Sequence, residues 1–87
     1  MIYDSLEKRI RAEALILKAQ QQLKLAALDF GMRFAPSLRQ RIETLIRQLQ
    51  ASLIEGDEIH IQQYSADLQF ELNELDQQVR QQNPPNF

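Results

Sequence analysis

Glycine and proline, the residues that most often end helices, occur at only a few places in this chain of 87 residues. Gly31 and Pro36 lie on either side of one short segment, Gly56 forms a second break, and Pro84-Pro85 forms a third. The stretches between them are rich in Leu, Ala, Gln, Glu, Arg and Lys, which all favour helices. The spacing predicts three helices, at about 4–30, 38–54 and 58–82. They form one domain, residues 1–83, followed by a short flexible tail at 84–87.

The residues at the predicted helix ends have the chemistry of caps. Gly56 is suited to end the second helix in a left-handed conformation, and Asp57 is suited to cap the start of the third. Ser37 and Gln40 have the spacing of a capping box, which predicts the start of the second helix. Because the connections are short, consecutive helices are expected to run antiparallel.

Apolar residues recur at helical spacing in the two later segments, and no segment alternates apolar and polar residues as a strand would. The fold prediction is an all-α, up-down-up three-helix bundle with a long overhanging first helix. Its core is predicted to contain Ile16, Leu23, Ile42, Leu45, Leu49, Leu53, Tyr64, Leu68, Leu72 and Leu75.

The first predicted helix carries two apolar stripes. One contains Ile16, Ala19, Leu23, Ala27 and Phe30, and the other, displaced by about a quarter turn, contains Ile2, Leu6, Ile10 and Leu17. At about 1.5 Å per residue the middle helix is about 25 Å long and the outer two approach about 40 Å, so the first helix extends past the bundle. Two interpretations of the second stripe are open: a frayed, partly apolar terminus, or a surface that expects a partner.

The candidate partner-binding residues are this second stripe, Ile2, Leu6, Ile10 and Leu17, together with Phe70. Phe70 lies about 180° from the apolar stripe of the third helix. An aromatic residue there is either a single exposed side chain or the centre of a contact patch.

Side chains for catalysis or metal binding are scarce. The chain has no cysteine and one histidine, His60. A zinc-type site needs at least three convergent ligands, so His60 is interpreted as a solvated residue in the first turn of the third helix. No serine has a plausible base nearby, and no glycine-rich loop is present to hold phosphate. We therefore predict no enzymatic activity, no bound metal, no cofactor and no ATP bound by this chain.

Charge is divided unevenly along the chain. Residues 1–47 carry nine basic and five acidic side chains, a net of +4, whereas residues 48–87 carry one basic and seven acidic side chains, a net of −6. A basic half would suit nucleic acid, but these cations alternate with acids and lack stacking aromatics. The preferred interpretation is attraction between the first two helices and the third, with each exposed pair contributing less than about 1 kcal/mol. No nucleic-acid partner is predicted.

Long apolar runs are absent from the sequence. The longest are four residues, Ala14 to Leu17 and Leu25 to Leu28. Runs this short exclude a membrane-spanning helix and a signal peptide, which predicts a cytoplasmic protein with no membrane partner.

Four segments form a recognisable series. They are Arg11-Ala12-Glu13-Ala14-Leu15-Ile16 with Ala19 and Leu23, Ser37-Leu38-Arg39-x-Arg41-Ile42-Glu43-x-Leu45-Ile46, Leu49-x-x-x-Leu53-x-x-Gly56-Asp57-x-x-x-Ile61, and Leu68-Gln69-x-x-Leu72-x-Glu74-Leu75. In order, length and turn residues this series resembles the C-terminal helical lid of DnaK-type (seventy-kilodalton) heat-shock chaperones. The resemblance covers about residues 9–82, and residues 27–35 are similar to the cyanobacterial branch. Phe70 and Asn73 depart from the family's pattern.

The resemblance implies a bundle that closes over a peptide held in a separate β-subdomain, with the start of the first helix resting against another surface. The chain is interpreted as an excised lid or as an independent small protein descended from one. The functional prediction is a non-enzymatic protein-interaction module that caps or contacts polypeptide. The alternative is a small helical adaptor or dimerisation protein without client binding. The expected partners are proteins, either a second copy of the chain or a chaperone client or co-chaperone.

Overall fold

Three helices account for nearly all of the structure. The computed structural model describes residues 2–82, with side chains from residue 5 onward. The helices are α1 (Ile2–Phe30), α2 (Pro36–Glu55) and α3 (Glu58–Gln82), and they pack together in pairs. Within the described range there is no strand, so the prediction of an all-α three-helix bundle is confirmed. The side chain of Ile2 and the predicted tail at 84–87 lie outside the described residues.

The core runs the length of the bundle and is built mainly from aliphatic side chains. Its buried residues are Ala12, Ile16, Ala19, Leu23, Ala26, Leu38, Ile42, Ile46, Leu49, Leu53, Ile61, Leu68, Leu72 and Leu75. Leu45 and Tyr64, which were predicted to belong to the core, are half-buried and pack against it. The alanines occur at a seven-residue spacing on α1, where a small side chain lets the neighbouring helices approach closely while their leucines fill the space.

The start of α2 differs from the sequence prediction, because the helix begins at Pro36 and no side chain caps it. Proline suits the first helical position, since its fixed φ is already helical and its missing N–H has no partner there anyway. The first helical bond then runs from the Arg39 N–H to the Ala35 carbonyl, at 2.9 Å. Ser37 already lies inside the first turn, so the predicted capping box of Ser37 and Gln40 is wrong.

The connection between α2 and α3 has the predicted turn chemistry. Gly56 adopts the left-handed conformation (φ 71°, ψ 28°), and its N–H bonds the Ser52 carbonyl. The Asp57 N–H bonds the same carbonyl at 3.0 Å. The Asp57 carboxylate then accepts a bond from the His60 N–H at 3.2 Å, which caps α3 as predicted.

The first helix extends past the end of α2 but lies alongside the start of α3. The Arg9 guanidinium donates to the Leu53 carbonyl at 2.9 Å, near the end of α2, so residues before Arg9 continue beyond that helix. One turn earlier, the Ser5 hydroxyl donates to the Glu58 carboxylate at the beginning of α3. The contacts of Arg9 with α2 and of Ser5 with α3 therefore fix the orientation of the N-terminal end of α1.

Candidate protein-interaction surface

Three of the predicted partner-binding residues form an exposed stripe along one side of α1. Leu6, Ile10 and Leu17 are 52%, 57% and 68% exposed. At 100° per residue they lie within about 40° of one another and about 140° from the buried face, rather than the quarter turn expected from the sequence. The stripe thus points away from the bundle.

The length of α1 does not explain why this stripe is exposed. Leu17 lies beside α2, where it lines a groove with Leu53 and Gln50, yet it remains mostly exposed. Leu17 therefore does not lie beyond the end of α2. Its exposure follows from the direction in which its position on α1 faces.

Ile54 on α2 belongs to the same surface and was missed by the sequence analysis. It is 87% exposed and lies with Glu13 and Leu17 in an open groove of about 540 Å³ between α1 and α2. Its position one residue after buried Leu53 turns it by about 100° from the core. This offset from a buried leucine was the feature of the sequence from which the exposure of Ile54 could have been predicted. We refer to Leu6, Ile10, Leu17 and Ile54 as the apolar face.

Phe70 is exposed but lies elsewhere. It is 64% exposed and borders a groove of about 630 Å³ between α2 and α3. The same groove contains an ion pair in which the Arg41 Nε donates to Glu71 at 3.0 Å. Because its lining comes only from α2 and α3, the structure does not bring Phe70 together with the apolar face.

His60 takes part in the cap of α3. Its ring contacts the Asp57 carboxylate and stacks on Tyr64, with ring centroids 5.5 Å apart. Hydrogen bonds from the His60 side chain and backbone hold the pKa of Asp57 below its ordinary value of 3.8.

Across residues 5–82, no group of three or more His, Cys, Asp or Glu side chains is placed to hold a metal ion. Among the described helices, none has both the length and the hydropathy that a membrane crossing requires.

Arg9 connects the apolar face to the end of α2. The last turn of α2 contains no basic residue of its own, although the carbonyls there carry partial negative charge. Arg9 of α1 supplies the cation through its bond to the Leu53 carbonyl. Since Arg9 lies between Leu6 and Ile10 in sequence, this contact also fixes the orientation of the first two turns of the stripe.

Comparison with curated proteins finds close relatives over most of the chain. It is 51% identical over 78 residues to the chaperone protein DnaK of Trichormus variabilis and, equally, to the chaperone protein dnaK1 of a Nostoc species. It is 40% identical over 79 residues to the chaperone protein dnaK3 of a Synechocystis species. These alignments cover about 90% of this chain and about 11% of the relatives' length. No protein-family model and no solved structure matches the chain.

The chain is an all-α helical domain that is similar over most of its length to a segment of chaperone proteins. More particularly, it is homologous to the C-terminal region of cyanobacterial DnaK chaperones, as the sequence resemblance indicated. That region is a non-catalytic segment of the relatives.

Proposed function

We propose that this chain is a protein-interaction module of chaperone type that contacts polypeptide through the apolar face. The observation that carries the proposal is the exposure of Leu6, Ile10, Leu17 and Ile54 on one side of a bundle whose core consists of buried aliphatic side chains. Homology to the C-terminal region of chaperones supports a protein as the partner.

The shape of the apolar face suits a polypeptide better than a small molecule. It is an open surface between α1 and α2 and has no enclosed cavity of the kind that holds a small molecule. Fully burying an exposed aliphatic side chain contributes on the order of 1.5–3 kcal/mol, and these four begin half to mostly exposed. Contact with apolar segments of a polypeptide would therefore give weak, reversible binding.

We extend the proposal to the class and location of the protein. The module has no enzymatic activity and binds no ATP, cofactor or nucleic acid, and its partners are chaperone clients or co-chaperones in the cytoplasm. By the resemblance, the start of α1 rests on a polypeptide-binding subdomain while the bundle caps the bound segment. Support comes from homology to a non-catalytic segment and from the exposed stripe at the start of α1.

The experiment is to measure binding of a permanently unfolded client, reduced and carboxymethylated α-lactalbumin, by fluorescence anisotropy. The Leu17→Glu/Ile54→Glu variant should lose most of the binding, because it places two charges in the apolar contact. Ile59→Glu is the matched control, since Ile59 is 77% exposed on α3 and lies outside the face. If the double variant bound the client as tightly as Ile59→Glu did, and the circular dichroism of both variants were unchanged, the proposal would be contradicted.

The second candidate is an independent helical adaptor or dimerisation module that does not bind clients. The same exposed face favours it, because an apolar patch can pair with its own copy as well as with another protein. Absence of client binding by the wild type at every concentration, together with self-association, would select this candidate.

A further inference from the structure

We infer that the exposed side of α3 is a docking surface for a helix of another protein, one that carries lysine or arginine along the edge that meets α2. This surface contains no residue of the apolar face, so binding there is independent of the proposed function. Its residues are spaced as in a coiled coil, and the charges along its two edges differ.

Six exposed residues of α3 lie on the side of the helix opposite the core. They are Ile59, Gln63, Ala66, Phe70, Asn73 and Gln77, which we call the outer seam. They follow one another at intervals of four, three, four, three and four residues, and at 100° per residue they lie within about 80° of one another. This alternation is typical of a helix that packs against a partner helix in a coiled coil. The outer seam is about 27 Å long, which suits a partner helix of about five turns.

The composition of the outer seam favours a weak and specific contact. Ile59 and Phe70 are mostly exposed, and each would gain apolar contact with an aliphatic side chain of the partner helix. Ala66, which lies between them, leaves room for a larger side chain of the partner. Gln63 and Asn73 are polar, and polar residues at such positions lower the affinity of a coiled coil while they fix its register.

The edge of the outer seam towards α2 is acidic. Asp67 and Glu74 flank Phe70 there, in the positions from which a coiled-coil helix forms ion pairs with its partner. Asp67 lines the α2–α3 groove together with Phe70. Within residues 5–82 neither Asp67 nor Glu74 takes part in an ion pair.

The cations of α2 do not neutralise this edge. Arg41 lines the α2–α3 groove, but it is already paired with Glu71 at 3.0 Å. Arg47 lies beside Glu43 in the groove between α1 and α2. The two carboxylates of the edge are therefore available to a basic partner, and opposite charges across an interface favour one partner over others.

The edge towards α1 has a different character. Gln62 and Gln69 lie on it, and Lys8 and Arg11 of α1 line the same groove. Arg11 is paired with Glu7 at 2.6 Å, whereas Lys8 takes part in no ion pair among residues 5–82. A partner helix with cations along one edge and neutral residues along the other is complementary to both edges.

A second copy of α3 fits the outer seam less well than such a helix. With the two α3 helices antiparallel, the acidic edges face each other, and like charges disfavour association. With the helices parallel, Lys8 of the second copy comes near Asp67. Glu74, however, then faces Gln69, and Arg80, which continues the outer seam, meets Arg80 of the second copy.

The experiment is to measure the binding of two fluorescein-labelled peptides by fluorescence anisotropy at low salt. Each peptide has three heptads, leucine and alanine at the seam positions, glutamine along one edge, and a hydrocarbon staple that keeps it helical. The basic probe has lysine along the other edge, and the acidic probe has glutamate there. The wild-type chain should bind the basic probe at least about tenfold more tightly than the acidic probe.

Variants of the chain identify the surface that binds. Phe70→Ala should weaken binding of the basic probe more than about tenfold, because it removes the largest apolar side chain of the outer seam. Asp67→Lys/Glu74→Lys should reverse the preference, so that the acidic probe binds more tightly. Leu17→Glu/Ile54→Glu changes only the apolar face and should leave binding of the basic probe unchanged.

Three results would overturn the inference. They are no binding of the basic probe at chain concentrations up to about 1 mM, unchanged binding by Phe70→Ala, and an unchanged preference after the charge reversal. Self-association of the wild type that Phe70→Ala abolishes would assign the outer seam to a second copy instead. Circular dichroism of every variant separates loss of binding from loss of folding. A chain that binds the unfolded client but not the basic probe would overturn this inference and leave the proposed function intact.

Discussion

Asp57, in the turn between α2 and α3, stabilises the start of α3 through a capping hydrogen bond and through its charge. Its carboxylate accepts the His60 N–H and contacts the His60 ring, so its charged form is favoured in the folded chain. This lowers the pKa of Asp57 below 3.8, with the His60 side-chain contact as the largest cause. A carboxylate whose pKa is lower in the folded state stabilises the fold above its unfolded pKa, and the effect disappears as pH falls through the folded pKa.

We predict a pH-dependent difference in melting temperature between the wild type and Asp57→Asn. Asparagine keeps a capping oxygen but removes the negative charge beside His60 and the start of α3. The variant should melt at a lower temperature than the wild type at neutral pH, and the gap should close as pH falls below the ordinary Asp value of 3.8. Thermal melts across that range provide the measurement. A gap that persists at the lowest pH would assign the effect to shape rather than charge.

Among the helices, α2 depends on α1 for the capping of its C-terminus. Gly56 and Asp57 both donate to the Ser52 carbonyl, whereas the Leu53 carbonyl receives the Arg9 guanidinium. The contact joins helices that are 44 residues apart in sequence at this point, so it also fixes how α1 passes the turn. A cation near these carbonyls interacts favourably with the helix dipole.

The prediction for this element is that Arg9→Ala destabilises the bundle by about 1.5–3 kcal/mol, the usual contribution of a hydrogen bond from a charged group. Urea denaturation gives the change in the free energy of unfolding. Arg11→Ala is the matched control, since the Arg11 side chain is 76% exposed and, within residues 5–82, bonds Glu7 on its own helix. That pair contributes about 0.2–0.5 kcal/mol. If the two substitutions had equal effects, Arg9 would have no special role at the end of α2.

Across the whole molecule, burial separates the aliphatic residues that stabilise the fold from those available for binding. Leu49 is fully buried in the core, while Ile54, five residues later on the same helix, is 87% exposed. The two residue types are similar in volume and hydropathy. Their contributions to folding therefore differ only through their surroundings.

The corresponding prediction compares Leu49→Ala with Ile54→Ala. Leu49→Ala should cost about 2–5 kcal/mol, because it removes buried methyl groups and leaves a cavity. In a domain of this size that is a large fraction of the total stability. Ile54→Ala should change the free energy of unfolding by less than about 0.5 kcal/mol at a protein concentration where the chain is monomeric. A large effect of Ile54→Ala under those conditions would show that its side chain is buried in the folded monomer.

The sequence by itself determined the number of helices, most of the core and the turn at Gly56 and Asp57. These features depend on interactions within one or two helical turns, or on the period of the apolar residues along a single helix. Ile42, Leu49 and Leu68 recur at that period and are fully buried. The turn follows from a glycine and a capping aspartate that act on neighbouring backbone groups.

Only the tertiary structure decided which surfaces are exposed together and how distant segments support each other. Periodicity placed Leu17 off the core stripe of α1, but it could not show that α2 passes beside it without covering it. The periodicity also gave no reason to expect that Ile54 lies beside α1, or that the Arg9 side chain contacts the end of α2. These contacts depend on the relative rotation of packed helices. That rotation is set by the fit of all the core side chains together, and no local pattern encodes it.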